Sequence, residues 1–189
     1  MHTESSRRTI LVATAAAVLT PALFVGAAQA ASASELDLAG HNALQALYAK
    51  NNKARELAHR AKAVLIFPKI TKLGFVVGGQ GGDGVMRAGH RTIGYYEIAA
   101  ASFGLQAGVQ TFSYALFFIT QSAIDYLASS SGWAIGTGPS VVIVDEGFAR
   151  NMNTTTLKKD VYAMAFGQKG LMAGLGLEGS KISKIHPGP

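Results

Sequence analysis

The chain contains no cysteine among its 189 residues. This absence excludes disulfides, thiolate metal sites, a cysteine nucleophile and the acylated cysteine of a bacterial lipoprotein. Acidic residues are also scarce, with 11 Asp and Glu against 17 Lys and Arg. The five histidines are dispersed, and no two of them have the spacing of a helical metal site. We therefore expect neither a metal nor a cofactor.

The shortage of acid is greatest between residues 50 and 72. Seven basic residues face one acid, Glu56, which gives +6 over 23 positions, whereas the rest of the chain after residue 30 sums to −1. The basic residues are Lys50, Lys53, Arg55, Arg60, Lys62, Lys69 and Lys72. A local concentration of this kind predicts contact with an anionic partner.

Residues 1–30 are typical of an export signal. Arg7-Arg8 precede an uncharged run over 10–28, and Ala28-Gln29-Ala30 offers small residues at a cleavage site. The start resembles a twin-arginine signal, with the general secretory route as the alternative. A retained membrane anchor is a further alternative, because the run approaches the ~20 residues that span a bilayer. We expect an exported protein of the periplasm or cell envelope.

The rest of the chain predicts one domain over 40–186, preceded by a flexible start over 31–39. Apolar residues recur at helical spacing over 44–65, with a break at Asn51-Asn52. Short strands at hairpin spacing follow, and glycines inside them permit sharp coiling. No regular βαβ alternation is present, so we predict an α+β fold. Its curved, mostly antiparallel sheet would form a half-barrel or sandwich, with the amino-terminal helices packed on it.

Motifs for catalysis are weak. The run GQGGDG over 79–84 has the glycine spacing of a dinucleotide site, but that chemistry needs a helix next, and a strand pattern follows. We predict that the run forms a turn or a strongly bent strand pair. The sequence has neither a P-loop nor a serine nucleophile elbow. Asp145 and Glu146 are adjacent, so in a strand they would point to opposite faces. We therefore expect a protein that is not an enzyme.

Two anionic partners are compatible with the basic segment. Nucleic acid is disfavoured by the export signal and by the lack of aromatic residues interleaved with the charges. A membrane fits better, since each Lys or Arg near an anionic bilayer contributes about 1 kcal/mol. Stable attachment generally needs a second, apolar signal, which we expect from Leu65, Ile66 and Phe67.

Several blocks of this sequence, in order, resemble the SYLF lipid-binding domain family. They are AKAVLIFPK over 61–69, GFVVGG over 74–79, GDGV over 82–85, GLQAGV over 104–109, QKGLMAGL over 168–175 and EG at 178–179. The resemblance implies a single SYLF-like α+β domain that binds lipid through a basic amino-terminal portion. Eukaryotic relatives bind phosphoinositides, and some fungal relatives bind actin. Where those members have a Gly-Trp-Ser block, residues 94–98 read GYYEI, which favours a bacterial exported branch.

We therefore expect docking on anionic phospholipids, with no role for nucleic acid. The predicted lipid-binding residues are Lys50, Lys53, Arg60, Lys62, Lys69 and Lys72. Two alternatives remain open. The glycine-rich sheet could self-assemble into a homo-oligomer or an envelope interaction module, or it could enclose an apolar ligand as a carrier.

Overall fold

The computed structural model describes residues 31–144, 157–169, 177 and 179–188, without the side chains of 75–77 and 102–107. Two helices open this part of the chain. Helix α1 spans Ala33–Lys50 and helix α2 spans Asn52–Arg60. Asn51 separates them: its N–H donates to Leu47 O at 2.9 Å, and its side chain accepts from Ala54 N at 3.0 Å. The predicted break is confirmed, because one asparagine ends α1 and caps α2.

The sheet is organised around one long hairpin. Strand β1 spans Ala63–Ala88 and strand β2 spans Arg91–Phe118, and the two pair antiparallel along their length. The remaining described elements are helix α3 at Gln121–Ser129 and strands β3 at Trp133–Ala134, β4 at Val141–Ile143, β5 at Val161–Lys169 and β6 at Lys181–Ile185. The other edge of β2 pairs antiparallel with β5 and with β6, and among the described strands only β4 runs parallel to its neighbour.

Both faces of this sheet are covered by apolar layers. One face packs against α1 and α2 through residues such as Leu47, Leu57, Ile66, Phe117 and Tyr162. The other face buries a second cluster, which includes Leu65, Phe67, Tyr114, Leu127 and Trp133. Because successive strand residues point to opposite faces, each apolar run of β1 and β2 feeds both clusters. The predicted α+β class, with a curved, mostly antiparallel sheet and helices packed on it, is confirmed.

The curvature of the hairpin depends on glycines. A Cβ built on Gly84 would lie 2.6 Å from Ile66 O, and one on Gly82 would collide with the carbonyl oxygen of Lys69. The second half of β1 therefore folds back onto the backbone of its first half. The glycine-rich run over 79–84 is continuous strand rather than a turn. Glycine is required at positions 82 and 84 because neighbouring atoms, mostly backbone, occupy the space that a side chain would need.

Two expectations about local structure are wrong. The start of the domain is helical from Ala33 rather than flexible over 31–39, because Ser32 and Glu35 form a capping box, with bonds of 3.3 and 2.9 Å. Leu65 continues the helical spacing in the sequence but lies in β1, since α2 ends at Arg60. The export signal over 1–30, the pair Asp145-Glu146 and, in the carboxy-terminal sequence blocks, residues 170–175 and 178 lie outside the described residues.

The carboxylate of Asp160 ties three segments together. Ser140 donates to Oδ2 from its N–H at 2.9 Å and from its hydroxyl at 2.7 Å, and Thr120 Oγ1 donates to Oδ1 at 2.9 Å. The hydrogen bonds from Ser140, first from its backbone and then from its hydroxyl, lower the pKa of Asp160 below 3.8. A depressed folded-state pKa means that this stabilisation is complete above pH 3.8 and is lost as the pH falls through the folded-state value.

Replacing Asp160 with Asn is expected to cost about 1–3 kcal/mol at neutral pH, because the amide cannot accept at both positions as the carboxylate does. The variant should also lose less stability than the wild type as the pH falls below 3.8. Urea denaturation from neutral to acidic pH measures both effects. The control is Asp125→Asn, on the exposed side of α3. If the free energy of unfolding fell equally with decreasing pH in the wild type and in Asp160→Asn, the lowered pKa of Asp160 would be contradicted.

Candidate functional site

The cationic segment, residues 50–72, runs from the last turn of α1 through α2 and into the first half of β1. Lys50, Lys62 and Lys69 are exposed, and none of the three forms an ion pair with a carboxylate of the described residues. Lysine ammonium groups in this state are available to an external anion. The composition of the segment explains why these three lysines form no ion pair within it, because Glu56 is its only acidic residue.

Lys53 differs from these three lysines. Its Nζ lies 2.9 Å from Glu56 Oε2, one turn further along α2, where the side chains are 33% and 56% exposed. An exposed pair of this kind contributes little to stability, so a bilayer phosphate can compete for the lysine. Lys53 and Arg60 are seven residues apart on α2 and share one face, whereas Lys50 belongs to α1.

At one end of the segment, Lys50 and Pro68, the residue before Lys69, line the same groove. This groove has a volume of about 370 Å³ and is also lined by Asn51 and Phe166. Ser113 Oγ donates to Pro68 O at 2.7 Å and fixes this stretch of β1. The other residues that line the groove are Ala43, Ala46, Leu47, Ser113 and Gly167. The groove is apolar with a lysine at its rim.

Arg60 and Lys62 lie at the other end. They alternate with Ala61 and Ala63, which line a second cavity of about 210 Å³. The polar groups of this cavity come from His41, Gln45, Tyr48, Arg87 and His90. Burial raises the pKa of the Tyr48 phenol, and the charge of Arg87 partly opposes that increase.

The six predicted residues are therefore divided rather than gathered in one compact site. Lys62 and Lys72 are ten residues apart along the chain, which corresponds to roughly 30 Å of extended strand. Lys72 is partly exposed and, as the cross-strand partner of the buried Gln110, points to the sheet face opposite α1 and α2. The sequence could not reveal this division, because it depends on how the helices fold back along β1.

The predicted apolar insertion is wrong. Leu65, Ile66 and Phe67 are 0% exposed. Leu65 and Phe67 pack in the cluster beneath α3, and Ile66 packs beneath α1 and α2. Large apolar side chains are exposed elsewhere, at Leu73 (52%) and Val109 (61%), which are direct cross-strand partners. Only the fold shows that nothing in the described structure covers them.

Within the described residues, no group of three His, Asp or Glu side chains could hold a metal ion. None of the helices in those ranges has the length and hydropathy needed to cross a bilayer.

The fold defines a class: an α+β domain with a half-barrel sheet, two amino-terminal helices on one of its faces and exposed lysines near the start of its first strand. Comparison with protein families identifies the domain further. Residues 99–186 match the family Ysc84, described as Las17-binding protein actin regulator. This match confirms the resemblance to the SYLF family over residues 99–186. The matched span begins after all six predicted lipid-binding residues. Comparison with curated proteins gave no match.

Proposed function

We propose that this protein is an exported, non-enzymatic lipid-binding protein of the bacterial cell envelope that docks on anionic phospholipid. The single observation that supports it best is the exposure of Lys50, Lys62 and Lys69 without a carboxylate partner in the described residues. Phosphatidylglycerol and cardiolipin supply the phosphates that such lysines attract. Export is supported by the signal-like residues 1–30.

The strength of this attraction can be estimated. Each Lys or Arg near an anionic bilayer contributes about 1 kcal/mol, so these three lysines give useful but salt-sensitive binding. The match to the SYLF family supports lipid as the partner. The family description also names Las17 and actin. We propose lipid rather than actin, because residues 94–98 depart from the block that eukaryotic members carry.

Vesicle flotation tests the proposal. The mature chain should float with vesicles of phosphatidylcholine and phosphatidylglycerol at low salt and stay behind with pure phosphatidylcholine. Raising the salt should release it, since the Debye length falls from about 10 Å at 0.1 M to about 3 Å at 1 M. Equal recovery with neutral and anionic vesicles would contradict electrostatic docking.

A second candidate function is supported by the groove beside Lys50. Its volume of about 370 Å³ and its lining of Ala43, Ala46, Leu47 and Phe166 suit one acyl chain, with Lys50 placed to meet a carboxylate or phosphate. In this case the protein would carry an apolar ligand. Mass spectrometry of organic extracts from the purified protein should then detect a lipid in stoichiometric amount, and Leu47→Trp, which fills the groove, should remove it.

A further inference from the structure

Leu73 and Val109 form an exposed apolar pair at the bend of the β1–β2 hairpin. Leu73 is directly opposite Val109, and the next pair, Gly74 and Gly108, is followed by a register shift. With 52% and 61% of their surfaces exposed, the two residues differ from most apolar strand residues, which are buried. Two adjacent apolar side chains left in water mark a contact surface.

The pair continues the sheet face that α1 and α2 cover. Along β2, Phe117 and Ala115 pack beneath these helices, and Ser113 lines the groove at their end. Alternate residues share a face, so Thr111 and then Val109 extend it beyond the helices. Leu73 lies on the same face as its cross-strand partner. The apolar pair therefore stands at the end of this layer, where none of the described helices covers it.

Three lysines surround this end. Lys169 is the cross-strand partner of Thr111, which places its backbone roughly 8 Å from that of Val109. Lys50 lies at the rim of the adjoining groove, and Lys69 lies in the bulge of β1 opposite Ser113. All three are exposed. The flanking stretches 68–74, 108–113 and 165–169 contain no acidic residue.

We propose that Leu73 and Val109 enter the boundary between headgroups and acyl chains of an anionic bilayer, while Lys50, Lys69 and Lys169 contact its phosphates. This inference rests on the proposed function and names the part of the surface that inserts. Apolar insertion combined with charge attraction is what stable peripheral binding requires. A second copy of the chain is the less favourable occupant, because it would bring both sets of lysines together.

A tryptophan introduced at position 73 reports insertion directly. The single native tryptophan, Trp133, is 0% exposed within the core, so its emission should not respond to lipid. With vesicles containing phosphatidylglycerol, Leu73→Trp should shift its emission to shorter wavelength and be quenched by brominated acyl chains. The matched control is Leu38→Trp, since Leu38 is 62% exposed on α1 and lies outside the proposed contact. Its emission should stay unchanged.

A negative charge placed at the same position provides a second test. Leu73→Asp should weaken binding to anionic vesicles about tenfold, whereas Leu38→Asp should leave the affinity unchanged. Two results would overturn this inference and leave the proposed function standing, provided that the wild type floats with the vesicles. One is an unchanged affinity of Leu73→Asp, and the other is a water-like emission from Leu73→Trp. If the wild type did not float with these vesicles, both this inference and the proposed function would be overturned. A change in molar mass by light scattering for Leu73→Asp, without loss of lipid binding, would overturn the inference and identify self-association instead.

Discussion

Replacing Lys50, Lys62 and Lys69 together with glutamate is expected to weaken binding to phosphatidylglycerol vesicles by at least about 100-fold. Each lysine near an anionic bilayer contributes about 1 kcal/mol, and about 1.4 kcal/mol corresponds to a factor of ten. Reversal adds repulsion to the lost attraction, so this factor is a lower bound. Titration of the labelled protein with vesicles at fixed salt measures the change.

A variant with the same change of net charge separates local contact from overall charge. Lys158, Lys181 and Lys184 are exposed and lie outside residues 50–72. Their replacement by glutamate alters the net charge equally and should reduce the affinity far less. Equal losses in the two triple variants would show that the vesicles respond to total charge rather than to this segment. The free energy of unfolding should change little in either variant, since all six side chains are exposed.

The two groups of lysines can also be separated. Reversal of Lys50 and Lys69 acts at the groove end, beside Leu73 and Val109, whereas reversal of Lys62 acts at the cavity that Ala61 and Ala63 line. If the groove end is the membrane contact, its double variant should account for most of the loss. If reversal of Lys62 caused most of the loss of affinity instead, the membrane contact would lie at the opposite end of the cationic segment.

Gly82→Ala is expected to destabilise the fold by about 3 kcal/mol, the upper part of the usual range for overpacking. A Cβ at this position collides with the carbonyl oxygen of Lys69 and lies 3.1 Å from Ile70 Cα. Both obstacles are backbone, so no side-chain rotation relieves them. A loss of this size is large for a domain whose total stability is about 5–15 kcal/mol.

Gly81→Ala is the matched control for this substitution. The nearest atom to its Cβ would be Ile98 O at 3.5 Å, which is ordinary contact, and alanine loses less chain entropy than glycine on folding. We expect its unfolding midpoint in urea to stay near or slightly above that of the wild type. Equal losses at 81 and 82 would show that the glycines are needed for some reason other than the close approach of the two halves of β1.

Some features of the fold follow from local sequence. Asn51 ends one helix and begins the next because its backbone and side chain offer the bonds that both helix ends need. The turn at Gly89 and His90 and helix α3 follow in the same way from turn residues and apolar spacing. Helix α1 begins earlier than expected, because the capping box of Ser32 and Glu35 outweighs the small polar composition around it.

Leu65 shows where local pattern fails. Its spacing from Leu57 and Ala61 fits a helix, yet β1 has begun by Ala63. The run from Val64 to Phe67 is apolar at every position, so periodicity cannot distinguish a buried helix from a strand that is covered on both faces. Strand pairing makes this run a β-strand rather than a helix. Its partners in β2 lie far away in the chain, and they are Phe117, Leu116, Ala115 and Tyr114.

By itself, the sequence determined the charge of this protein, its α+β class and the supply of lysines, because these depend on composition and on short-range pattern. Tertiary structure alone decided which residues meet: it buried Leu65, Ile66 and Phe67, exposed Leu73 and Val109, and placed Lys169 beside them. The physical reason is that burial and proximity arise from strand pairing and from the fold-back that Gly82 and Gly84 permit, and both join segments distant in the chain.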